Sequence, residues 1–234
     1  PPLFSDDVGS GSLAAWTASV GTNVQGTLTH AGSFAAQAAT TDGNTYAKKT
    51  LTSTVTDAYS RVWINLQSTS SQVNLLRHRT AADSSIAYLF VSASGQLGLR
   101  NDAAGTTTTS PVFVAPGSGW HELELHTLIN GPSSKVDAWL DGVHVDTLSI
   151  TTDLGTTPVG RVQIGDVQSG RTYNVTYDDV AFGTSELRSP PVANAGPDQS
   201  AASAAVTTVD AGASAAPSQH PLPDTRAPRR ATAR

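Results

Sequence analysis

The chain has 234 residues, 14% of them charged, a net charge of −5, and neither cysteine nor methionine. The lack of cysteine excludes a disulfide framework, a thiolate zinc site and a cysteine nucleophile. The mild acidity argues against a nucleic-acid partner, and no stretch approaches the roughly 18 apolar residues of a membrane helix, so no membrane insertion is expected. The length suits one all-β domain plus a tail. The chain starts at Pro1 without a recognisable leader and reads as a mature form or an excised piece of a larger modular protein.

Short strands separated by Gly, Asn, Asp, Ser and Thr turns dominate, as in a sandwich or barrel. Residues 61–66 alternate, with Val62, Ile64 and Leu66 on one side and Arg61, Trp63 and Asn65 on the other. Arg77-His78-Arg79 is a small basic cluster that reads as a solvated strand end. Residues 86–91 are continuously apolar, turn at Ser94-Gly95 and pair with 96–100. Thr106 to Thr109 belongs to a Thr-rich linking run.

Residues 120–126 alternate again, with Leu123 and Leu125 facing in and Glu122, Glu124 and His126 facing out. Residues 136–140 run into Asp141-Gly142 and then 143–145, a strong hairpin signal because both turn residues need positive φ. Residues 159–164 and 173–182 complete the series. In the last, Tyr173, Val175 and Tyr177 share a face and Val180 and Phe182 take the opposite phase, which predicts a bulge at Asp178-Asp179. Ser189-Pro190-Pro191 cannot sit inside a sheet and marks the end of a domain over residues 1–188. Residues 216–234 hold too little apolar surface to offset chain entropy and are expected to be disordered, so that 201–234 is a remnant followed by a disordered tail.

Several motifs then resemble a family. Phe4-Ser5-Asp6-Asp7 with Gly9-Ser10-Gly11-Ser12-Leu13 and Trp16 is similar to the opening of secreted bacterial jelly-roll domains. Trp120-His121-Glu122-Leu123-Glu124-Leu125, followed by the segment from Val136 to Gly142, resembles the core hairpin of laminin-G-like, or concanavalin A-like, domains. Val159-Gly160-Arg161-Val162-Gln163-Ile164-Gly165 and Tyr177-Asp178-Asp179-Val180 are similar to their later strands. The resemblance covers about residues 3–185 and implies a two-sheet antiparallel jelly-roll β-sandwich, secreted or extracellular, often with calcium and often with a glycan partner. Pro190-Pro191-Val192-Ala193-Asn194-Ala195-Gly196-Pro197-Asp198-Gln199 resembles the start of a PKD-type domain, so 189–200 is expected to be a Pro-rich linker and PKD-like start, with a remnant fading beyond it.

Three constellations could carry function. Asp6, Asp7, Asp178 and Asp179 are hard oxygen ligands that a bulge could bring to a structural Ca²⁺. Trp63, Trp139, Arg61 and Glu124 fall on the predicted outward face, where indole rings could lie on sugar rings while charged groups take the hydroxyls. Glu122 and Glu124 sit two apart on one strand, roughly 6.5–7 Å between Cα atoms, within the about 5–9.5 Å used by glycosidases. The Glu-x-Asp-x-x-Glu pattern of concanavalin A-like glucanases is absent.

Other chemistry is poorly supported. His121 and His126 are five apart on a strand and so point to opposite faces, unlike a zinc-protease helix pair. No Gly-x-Ser-x-Gly elbow occurs. The expectation is a non-catalytic module that binds extracellular polysaccharide or cell-surface glycan, or mediates adhesion. A glycoside hydrolase or polysaccharide lyase and a purely structural spacer are the alternatives.

Overall fold

The computed structural model describes residues 1–188; the expected linker, PKD-like start and tail lie outside the described residues. Among these residues the strands are β1 (Phe4–Asp6), β2 (Ala18–Val20), β3 (Asn23–Gln25), β4 (Ala35–Thr40), β5 (Thr45–Val55), β6 (Asp57–Thr69), β7 (Val73–Thr80) and β8 (Ser85–Val91). They continue with β9 (Gln96–Asn101), β10 (Thr106–Phe113), β11 (Trp120–Leu128), β12 (Ser134–Leu140), β13 (Val143–His144), β14 (Ile150–Thr152), β15 (Val159–Asp166) and β16 (Tyr173–Gly183). One short 3₁₀ turn precedes β12 and another precedes β14.

The strands form two antiparallel sheets. The first runs β13-β12-β11-β6-β16-β4-β3, with β1 added along β16 and β14 along β12. The second runs β10-β9-β8-β7-β15-β5-β2. Both expected hairpins form: β8 pairs β9, and β12 pairs β13 through Asp141 and Gly142 at φ 53° and 76°. The Thr106 to Thr109 run is an edge strand rather than a linker, a place where exposed β-branched residues are favoured.

Alternation makes the core. Val62, Ile64, Leu66, Leu123, Leu125, Val136 and Ala138 of the first sheet bury against Leu76, Leu89, Leu97, Leu99, Val162 and Ile164 of the second. Each buried Val, Leu or Ile among them stabilises the fold by roughly 1.5–3 kcal/mol.

The last strand shows how sequence phase becomes geometry. Its first half pairs β4 through Tyr173 to Tyr177, and its second half pairs β1 through Val180 to Phe182. Between them the register against β6 shifts after Asp178, and Asp179 adopts φ 48°. This is the predicted bulge. It lets Tyr173, Val175, Tyr177, Val180 and Phe182 all face the core despite their change of phase.

The basic cluster is a correction. Arg77, His78 and Arg79 lie within β7, between β8 and β15 in the second sheet, and all three are buried. His78 points between the sheets and hydrogen-bonds Ser60 and Thr127 of the first sheet at 2.6 and 2.8 Å. Two hydroxyls satisfy both ring nitrogens, which is what allows a histidine to sit in an apolar core.

Candidate functional site

The outward face of the first sheet is built from cross-strand rows, whose directly opposite side chains share one face. Trp63 on β6 lies opposite Glu122 of β11 and Asp178 of β16. In the next row Arg61 faces Glu124, and Glu124 faces Trp139 of β12. A third row joins Tyr59, His126 and Asp137. The structure thus gathers Trp63, Trp139, Arg61 and Glu124 within two adjacent rows. Both tryptophans are half-buried on this face rather than in the core. Trp120, opposite Asn65, extends the face; the alternation that sends Glu122 outward already implied it.

Two segments cross these rows. The first carries His30, whose imidazole stacks on Trp63 with centroids 3.8 Å apart and meets the edge of Trp120 at 5.6 Å. Asp178 holds this segment: its Oδ2 accepts the His30 and Ala31 N–H groups at 2.9 and 3.3 Å. Asp179 Oδ2 bonds His30 Nδ1 at 2.6 Å. Nothing in the local sequence singles out His30, because its role depends on a carboxylate 148 residues away.

The second segment is the stretch after β16. Leu187 N–H donates to Glu124 Oε1 at 3.2 Å, and Arg61 Nη1 donates to the Leu187 carbonyl at 3.0 Å. Arg188 lies 4.5 Å over the Trp139 ring, with Nη1 3.9 Å from Glu124 Oε1. Glu124 is 1% exposed, and its Oε2 has no partner. Burial pushes the Glu124 carboxyl above its ordinary pKa, opposed by the Leu187 N–H and Arg188. Glu122 is 3% exposed. The two glutamates do share a face, but substrate could reach Glu124 only by displacing residues 187–188.

The four aspartates expected to bind calcium are engaged elsewhere. Asp6 accepts the Val8 N–H and the Trp16 indole N–H, at 2.9 and 2.7 Å. Asp7 Oδ1 accepts the Gly9 N–H. Asp178 Oδ1 accepts the Asp179 N–H in addition to the two bonds to its Oδ2. Asp6, Asp7 and Asp179 line one hollow of about 240 Å³ with Arg61. Among the described residues no group of three or more His, Asp or Glu side chains is placed to hold a metal. Ca²⁺ takes six to eight converging oxygens, and several of these carboxylate oxygens already accept N–H groups.

His121 and His126 join separate networks. His126 bonds Asp57 and Asp137, both at 2.9 Å, and stacks on Tyr59 at 4.1 Å. His121 lies between Ser118 Oγ at 2.8 Å and Asp141 Oδ2 at 2.7 Å, the order of a hydrolase triad. Ser118 Oγ also lies 2.5 Å from the Ala115 carbonyl, so two acceptors compete for its single proton.

No family model and no curated protein sequence matches the chain. Solved structures do share its architecture. It is similar to a cellulose-induced protein, Cip1, with TM-score 0.64 and 16% identity over 80% of this chain and 100% of that one. A sialidase matches with TM-score 0.58 and 8% identity over 78% of this chain and 18% of that one. A structure of botulinum neurotoxin type C, whose cell entry depends on interaction with two ganglioside molecules, matches with TM-score 0.50 and 13% identity over 71% of this chain and 42% of that one. At these identities the likeness is one of fold: a two-sheet antiparallel β-sandwich.

Proposed function

We propose that the domain is a non-catalytic glycan-binding module whose ligand lies on the outward face of the first sheet. The observation that carries this reading is the concentration there of three of the four tryptophans, Trp63, Trp120 and Trp139, interleaved with Arg61, Glu122, Glu124 and Asp137, while Trp16 alone joins the core. Indoles on neighbouring strands flanked by carboxylates and a guanidinium suit a sugar, which offers apolar C–H faces and a rim of hydroxyls. The ganglioside interaction named for the neurotoxin supports the reading, since a fold of this kind serves there in a protein that engages a glycolipid. Because His30 stacks on Trp63 and Arg188 lies over Trp139, the ligand would take the free edges of these rings and the open Trp120 side or displace the two segments.

A glycan-array screen of the whole chain tests it. Binding to a defined glycan class, weakened at least tenfold by Trp63→Ala and by Trp120→Ala with the thermal midpoint retained, is expected. An array without binders would favour a structural spacer, and binders indifferent to both changes would overturn the placement of the ligand on this face.

A further inference from the structure

The opposite side of the sandwich carries a different chemistry. On the outward face of the second sheet, Thr107, Arg100, Tyr88, Arg77, Gln163 and Lys48 lie directly opposite one another on β10, β9, β8, β7, β15 and β5. They form a single cross-strand row of hydrogen-bond donors. Arg79 and Arg161 form the row beside it. Strands are ~4.8 Å apart, so Arg100 to Lys48, four strands on, spans roughly 19 Å.

The cations here outnumber their partners. Asp83 alone faces three: Lys48 at 2.9 Å, Arg161 at 3.4 Å and Arg79 at 3.5 Å. Asp102 serves Arg100 at 2.9 Å and stands 4.0 Å from Arg77, beyond hydrogen-bond reach. The remaining nearby acid, Asp166, is taken by Arg171 and Asn74. Arg77 is 5% exposed, stacks 4.0 Å over Tyr88, and donates to Ser85 Oγ at 3.2 Å. Its buried Nε has no partner, nor has that of Arg161. A buried guanidinium without a matched acceptor costs stability unless something else supplies one.

We infer that this row is a second binding site, for an extended acidic polysaccharide with a carboxylate on each sugar. Guanidinium groups bind carboxylates through paired, charge-assisted N–H···O bonds. The ligand would lie across the strands, its sugars in step with the strand spacing, with Arg77 at the centre, Arg100 and Lys48 at the two ends and Tyr88 between; Gln163 is buried beneath, where it accepts from Arg79 Nε at 2.7 Å and donates to the Gly165 carbonyl at 2.8 Å. The net charge of the chain is −5, so a general affinity for polyanions is not expected.

Calorimetric titration of the whole chain with polygalacturonate, neutral dextran and single-stranded DNA tests the assignment. Polygalacturonate should bind, weaken as salt rises, and outcompete DNA, while dextran should not bind at this face. Arg77→Gln should weaken polygalacturonate at least tenfold. Lys48→Gln and Arg100→Gln, at partly exposed positions, should each weaken it several-fold, and they decide the matter if Arg77→Gln does not fold. Trp63→Ala, on the other sheet, should leave it unchanged, which separates this site from the one proposed above. Absence of polygalacturonate binding, equal binding of DNA, or indifference to the Lys48 and Arg100 changes would overturn the site.

Discussion

His78 Nε2 lies 2.6 Å from Ser60 Oγ across the interior, so a side chain of the second sheet is hydrogen-bonded to the first at full burial. Burial, helped by the charge of nearby His126, lowers its pKa from 6.5 to about 3. The unfolded chain takes up this proton near pH 6.5, and the folded chain only near 3. Between those values the unfolded state holds more protons, so stability falls as pH drops from about 6.5, by up to about 1.4 kcal/mol per unit. Glu124, whose carboxyl is raised by burial, contributes the opposite slope. Urea unfolding between pH 4 and 6 should therefore be steeply pH-dependent in the parent and flatter in His78→Gln. Equal slopes would show that His78 does not titrate this way.

The segment after β16 should act as a clasp on the first sheet. Arg188→Ala removes the cation over Trp139 and the nearest positive charge to Glu124. Leaving a buried carboxylate less compensated costs about 1–3 kcal/mol, and Trp139 emission should shift to the red as water reaches the ring. The double variant Arg188→Ala/Glu124→Gln should recover part of the loss, measurable as a coupling energy in a double-mutant cycle. Simple additivity would place Arg188 outside the Glu124 network.

Asp6 ties the first strand to the loop that follows through the Trp16 indole and the Val8 N–H. Asp6→Ala orphans a buried indole N–H and should cost about 1–3 kcal/mol in urea unfolding. Since these aspartates are occupied by N–H donors, thermal midpoints in EDTA and in millimolar Ca²⁺ should agree. A clear upward shift with Ca²⁺ would show a folded-state metal site by mass action.

Gly165 holds a φ of +78°, and a Cβ there would sit 2.2 Å from the Thr45 carbonyl oxygen of β5. Gly165→Ala must both strain the backbone and push two paired strands apart, with an expected loss of about 2 kcal/mol or more. A thermal midpoint within a degree of the parent would mean that the β5–β15 ladder yields easily at this point.

Much of the first sheet was legible in the sequence because alternation reports burial directly. Val62, Ile64 and Leu66 against Trp63 and Arg61, and Leu123 and Leu125 against Glu122 and Glu124, define the outward face from alternation alone. The bulge at Asp178-Asp179 was legible as a break in phase. The second sheet was not. In β7 the side chains of Arg77 and Arg79 are buried on the outward face by their neighbours, and His78 is buried on the inward face, so charge there misread as solvent exposure.

Local pattern by itself determined the fold class, both hairpins and which residues of β6 and β11 face away from the core. It could do so because strand parity and turn chemistry are short-range properties of the chain. Only the tertiary structure decided which strands lie side by side, and with that the rows that join Arg61 to Glu124 and Arg77 to Tyr88. It alone brought His30 onto Trp63 and Arg188 onto Trp139. These partners lie far apart in sequence or approach from loops, where no periodic signal marks a contact and geometry comes only from packing.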